Sequence, residues 1–272
     1  MRTAFRLLAC LLALGVSGQG AAQTAAPDFK PPLDTTLPGG PKGVAIAEGK
    51  KLMTDTRRLL PQNVGNGLNC TNCHLDGGTT ANASPWVGIW GVFPEYRARS
   101  GKVITLIDRV NDCFERSMNG KPLVYNSPEM VSILSYMQWL SVGVPTGSAV
   151  KGRGFGPIDT NLVPGSANGK VVYAEKCASC HGVQGLGLKT ATGGYAMPPL
   201  WGKDSFNDGA GMARTYTAAA FVKHKMPLGQ GGTLSDQQAI DVSEYFTHQT
   251  RPVYKSKAKD WPQGNRPKDA RN

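Results

Sequence analysis

Charge and histidine are both scarce in this 272-residue chain: charged residues make up 18% and histidine occurs four times. With 40% hydrophobic residues, so little charge excludes a disordered chain and leaves enough apolar material for real cores. At roughly 100–200 residues per domain, the length allows one or two domains. Long apolar runs are also missing. After residue 22 nothing approaches the ~18 consecutive apolar residues of a membrane-spanning helix. No collagen-like or low-complexity period is present. Gly (34) and Pro (19) together are about a fifth of the chain, which predicts many loops and short helices rather than long bundles.

The first 22 residues read as a cleaved secretory signal. Arg2 and Arg6 give a basic start, Leu7–Val16 is an apolar run too short to span a bilayer, and Ser17–Ala22 is small and polar. The mature chain is expected to be exported to the periplasm, which argues against nucleic acid as a partner. Residues 251–272 hold seven Lys or Arg against two Asp, so much of the +11 net charge is a C-terminal tail. Its composition predicts a loosely ordered, solvated segment, or a field for an acidic redox partner or an anionic substrate.

Six cysteines in an exported chain ordinarily suggest three disulfides, but the spacing contradicts that here. Cys70-Thr71-Asn72-Cys73-His74 and Cys177-Ala178-Ser179-Cys180-His181 are both C-x-x-C-H. That pentapeptide attaches c-type haem: two thiols add to the two vinyl groups and the adjoining histidine reaches the iron. Cys70 and Cys73 with His74, and Cys177 and Cys180 with His181, are therefore expected to hold two covalent haem c groups. Cys10 belongs to the signal, which leaves Cys113 unpaired.

The surroundings of the two motifs repeat. Gly49…Met53 precedes the first motif and Gly169…Tyr173 the second. A Gly-rich loop with Pro and Trp follows each: Pro85, Trp86 and Trp90, then Pro198, Pro199 and Trp201. A closing helix ends each copy. Residues 128–140 place Val131, Ile133, Leu134, Met137 and Leu140 on one face, and residues 235–246 place Ala239, Val242, Tyr245 and Phe246 likewise. Ser235 and Gln238 form a capping box. The fold expected is all-α, two tandem cytochrome c-type domains, with 23–150 and 167–250 as the domains and 151–166 as the linker.

Each copy should supply a distal iron ligand. Lys225-Met226-Pro227 offers Met226 as a thioether, with Lys225 and His224 as adjacent competitors. In the first copy Cys113 falls at a matching distance, 23 residues after Trp90 against 25 from Trp201 to Met226, with Met118 as its rival. A thiolate would hold the first haem at low potential and favour electron flow toward the second. Arg97, Arg99, Arg109 and Arg116 flank that site. Arginine binds oxyanions in bidentate fashion, although some of these would pair with haem propionates. Cysteine sulfur, iron and arginine together suit redox chemistry on inorganic sulfur.

Cys113-Phe-Glu-Arg-Ser-Met-Asn-Gly120, about 40 residues after a C-x-x-C-H, closely resembles the dihaem thiosulfate dehydrogenases. It is similar, more loosely, to the A subunit of the sulfur-oxidising Sox complex. Pro198-Pro199-Leu200-Trp201-Gly202, Ser205–Gly209 and Lys225-Met226-Pro227 extend the resemblance over about residues 40–250. It implies oxidation of two thiosulfates to tetrathionate, reversible in principle, with electrons passed to a soluble or membrane-attached cytochrome. By position it implies His74 and Cys113 as ligands of the catalytic haem. His181 with Lys225 or Met226 would ligate the electron-exit haem, and Arg99, Arg109 and Ser117 would lie at the substrate site. A plain dihaem electron carrier and a partner-dependent Sox-type subunit are the alternatives. The basic tail is the part the resemblance leaves unexplained.

Overall fold

Glycine inside a helix costs about 1 kcal/mol relative to alanine, so a mid-helix glycine needs a reason. The computed structural model, which describes residues 26–191 and 194–271, supplies it twice. The expected signal at 1–22 lies outside the described residues. Helices α1 (Gly40–Thr54), α2 (Thr56–Leu59), α3 (Leu75–Gly78), α4 (Leu106–Arg116) and α5 (Pro128–Trp139) form a first unit. A second contains α6 (Ser166–Lys176), α7 (Ala178–His181), α8 (Thr215–Lys225) and α9 (Asp236–Thr247). Two short antiparallel ribbons sit in the loops, β1 (Glu95–Arg97) with β2 (Lys102–Ile104) and β3 (Leu188–Lys189) with β4 (Tyr195–Met197).

In each unit the first helix crosses the last at the glycine. A Cβ on Gly49 would stand 2.0 Å from the Ser132 carbonyl oxygen and 2.9 Å from the Tyr136 Cβ. On Gly169 it would stand 1.9 Å from the Asp241 carbonyl oxygen and 3.0 Å from the Tyr245 Cβ. Both crossings are backbone against backbone, so Gly169→Ala should force α6 and α9 apart. The expected cost is about 1–3 kcal/mol, read from denaturant unfolding of the holoprotein.

Helix starts follow their local chemistry. Ser127 and Ser235 cap α5 and α9 through the Met130 and Gln238 amides, the latter as the expected capping box. Ala239, Val242 and Phe246 are buried as read. Val131 is not: it is 49% exposed, because α5 turns Met130, Ile133, Tyr136 and Met137 inward and leaves Val131 on the opposite side.

The units meet along 202–213 of the second and α4 of the first. Buried Asn207 donates its amide N–H to the Arg116 carbonyl (3.2 Å) and its side-chain NH₂ to the Glu115 carbonyl (2.8 Å). Asn66 donates to the Ser117 and Ser205 carbonyls at 2.8 and 3.1 Å.

The tail departs from its expected looseness. Arg251 is buried, its guanidinium donating to the carbonyls of Thr247, Phe206, Leu200 and Phe246. Trp261 is buried too, and its N–H reaches back to the Arg99 carbonyl at 2.8 Å. Composition averages over the solvated lysines, whereas a few buried and fully paired groups are enough to fix the path of a segment.

Candidate haem and substrate site

The C-x-x-C-H segments are shaped by local hydrogen bonds before any packing. Asn69 accepts from the Asn72 amide and Asn72 reaches back to the Asn69 amide, closing a tight turn over Cys70–Asn72. The His74 ring then lies against Trp86, centroids 4.8 Å apart, with Nδ1 2.5 Å from the Ser84 carbonyl oxygen. His181 repeats the arrangement, Nδ1 2.8 Å from the Pro198 carbonyl oxygen. A carbonyl at Nδ1 fixes the proton there and leaves Nε2 as the lone-pair donor. Burial pushes His74 down to about 4 and lowers His181, so both rings are neutral at pH 7. This is the protonation and tautomer an iron ligand needs.

The Trp landmarks need one correction. Left-handed Gly78 makes room for Trp86, whose ring would lie 2.0 Å from an added Cβ, as Gly185 does for Trp201 at 2.2 Å. Trp86 is therefore the counterpart of Trp201, and Trp90, 41% exposed, is not. From the matching tryptophan Cys113 is 27 residues on, against 25 for Met226.

Cys70, Cys73, His74, Arg109, Cys113 and Ser117 line one cavity of the first unit, whose other walls are mostly apolar. Two thiols, a neutral imidazole and a third sulfur around one apolar space fit a haem c. Helix α4 presents Arg109, Cys113 and, at its C-cap, Ser117 at i, i+4 and i+8, on one face. Val110 and Phe114 beside them are buried, and Thr105 caps the helix. An Arg109 terminal NH donates to Cys113 Sγ at 2.8 Å, and that sulfur holds the guanidinium more firmly protonated than usual. Met118 also lines the cavity.

The other flanking arginines stay out of the cavity wall. Arg97 pairs with Glu95 at 3.0 Å, while Arg99 and Arg116 both bind Asp260 of the tail. Two further walls were not foreseen: Phe155 from the linker and Met212 from the second unit. Phe155 meets Phe221 of α8 edge to face, centroids 5.7 Å apart. No local spacing signals such long-range neighbours.

In the second unit Cys180 is exposed and Cys177 partly buried. Met226 follows the end of α8 and packs on the core. Burial lowers the Lys225 ammonium, for which no hydrogen bond or ion pair is found among the described residues. His224 is engaged, its Nε2 2.8 Å from the Pro157 carbonyl oxygen. No helix among the described residues is long and apolar enough to cross a membrane.

Residues 61–146 match the SoxA/TsdA cytochrome c domain family and residues 166–250 the cytochrome c family. Thiosulfate dehydrogenase of Psychrobacter arcticus is 50% identical, over 93% of this chain and 78% of the relative. That of Allochromatium vinosum is 46% identical, over 84% and 86%. Among solved structures, thiosulfate dehydrogenase TsdBA from Marichromatium purpuratum superposes with a TM-score of 0.77 at 39% identity, over 83% of this chain. The match spans half of that longer chain. With two C-x-x-C-H units, two cytochrome c domains and this identity over most of its length, the chain binds two covalent haem c groups and belongs to the thiosulfate dehydrogenase family.

Proposed function

We propose that this enzyme joins two thiosulfate ions into tetrathionate in the cavity of the first unit, 2 S₂O₃²⁻ → S₄O₆²⁻ + 2 e⁻, and can run in reverse. The observation that carries the reading is the Arg109–Cys113 contact within the His74 cavity. Cys70 and Cys73 would attach the first haem, with His74 and Cys113 to hold its iron; Cys177, Cys180 and His181 would hold the second, with Lys225 or Met226. Bound haem supplies a one-electron acceptor in each unit. Arg109 binds the dianion through charge-assisted hydrogen bonds and holds it beside the Cys113 sulfur. The Ser117 hydroxyl donates to a second oxygen. Val110, Phe114 and Met212 keep water from the sulfur atoms.

The second unit is the exit, because its attachment motif is the solvent-exposed one. A periplasmic cytochrome, soluble or membrane-attached, is the proposed acceptor, and the positive net charge of the chain would favour an acidic partner. Lys225, with no hydrogen bond or ion pair among the described residues and eased toward the neutral amine by burial, would hold the second iron in the oxidised form, and Met226 in the reduced form. Lys225→Ala should therefore gain the sulfur-to-ferric charge-transfer band that the oxidised wild type lacks. A wild type that already shows the band would end this assignment.

The function is tested with purified holoprotein, thiosulfate and an artificial acceptor. One tetrathionate per two electrons is expected. Absence of turnover in both directions would point to an electron carrier or a partner-dependent subunit.

A further inference from the structure

The basic tail has two acids, and both are buried: the Asp260 side chain is 4% exposed and that of Asp269 5%. Each closes on arginine from the body of the protein. Asp260 Oδ2 accepts Arg99 Nε at 2.8 Å. The same carboxylate takes Arg116 in bidentate fashion, one terminal nitrogen to Oδ2 at 2.9 Å and the other to Oδ1 at 2.8 Å. Asp269 Oδ1 binds Arg214 at 2.9 and 3.0 Å. Two aromatic rings of the tail roof the first cluster, Trp261 under the Arg99 guanidinium at 4.9 Å and Tyr254 under that of Arg116 at 4.3 Å.

This cluster adjoins the cavity. Arg116 follows Cys113 by three residues on α4 and donates to the Gly209 carbonyl, two residues before the Gly211–Met212 wall. Arg116 is also close enough to Arg109 for their charges to oppose each other. One carboxylate thus serves two guanidiniums that, unpaired, would each bind a dianion and compete with Arg109.

We propose that Asp260 is an internal counter-anion and positioning residue: by occupying Arg99 and Arg116 it keeps substrate dianions off them and directs the anion to Arg109 beside Cys113. The tail is then part of the substrate site rather than a solubility segment. The idea rests on the thiosulfate reading for its substrate, and on the Asp260 geometry for its site.

The test uses full-length holoprotein, with sulfate as a non-reacting dianion followed by calorimetry and thiosulfate followed by turnover. Asp260→Asn should bind sulfate about tenfold more tightly, with a steeper loss in salt. Its kcat and KM for thiosulfate should fall together, because anions held on the freed arginines are away from the sulfur. Asp260→Glu, which keeps the charge, should return both toward wild type. Loss of one partner from a buried pair can unfold a protein, so the double variant Asp260→Asn/Arg99→Gln is measured alongside. It has the net charge of the wild type yet frees Arg116, and should still bind sulfate more tightly than the wild type. Unchanged sulfate affinity in the folded variants, or KM rising as kcat falls, would make Asp260 a fastener of the tail and overturn the proposal. Sulfate binding needs no turnover, so a wild type inert toward thiosulfate would remove the proposed substrate and leave this result readable.

Discussion

Cys113→Ser keeps both haems attached and lowers turnover by about a thousandfold or more. The change is nearly isosteric at a half-buried position, so α4, capped at Thr105 and packed through Val110 and Phe114, retains its shape. What is lost is chemical. A hydroxyl at this site is a harder and far less anionic donor than a thiolate, both as an iron ligand and as a partner for sulfur. Arg109 would lose the sulfur that now accepts from it at 2.8 Å. Acceptor reduction gives the turnover, and haem content per chain separates loss of chemistry from loss of cofactor. A Ser variant with both haems and wild-type turnover would remove Cys113 from the reaction.

The second large effect is at Arg109. Among the four arginines flanking the first motif, it alone contributes to the cavity wall. Removing one preorganised charge-assisted donor typically costs 10²–10³-fold in rate, and Arg109→Met is expected to lose about that much in kcat/KM for thiosulfate. Arg109→Lys keeps the charge but loses the planar fork, so it should recover only part of the loss. Steady-state kinetics at constant ionic strength check both variants. An Arg109→Met enzyme within a few-fold of wild type would shift the anion site elsewhere.

Much of the architecture was legible because it is written in local chemistry. The two pentapeptides, the repeat of Gly49 and Gly169 ahead of them and the Ser235 cap each need a particular residue at a particular spacing, although what the two glycines are for, the helix crossings, came only from the structure. Cys113 was legible from its spacing and Arg109 and Ser117 from the resemblance, but the helix that sets Arg109 and Cys113 on one face, with Ser117 as its C-cap, was not read from the sequence. Exposed Val131 and the substitution of Trp90 for Trp86 show where pattern reading failed: periodicity gives a face but not its width, and spacing does not tell a buried ring from a surface one. Phe155, Met212 and Asp260 were out of reach altogether. They arrive at the first unit from far along the chain, Asp260 reaching Arg99 across 161 residues, and only the folded path of the linker, second unit and tail brings them there. Arg99 belongs with them, because its engagement with Asp260 depends on a segment whose composition suggested solvent.

The electron paramagnetic resonance spectrum of the oxidised holoprotein, recorded for wild type and for Cys113→Ser, bears on the core of the proposed chemistry. A low-spin signal of sulfur-ligated ferric iron in the wild type, lost in the variant while the second haem's signal is unchanged, is the predicted result. Identical spectra from the two proteins would contradict Cys113 as an iron ligand and, with it, the placing of thiosulfate oxidation in this cavity.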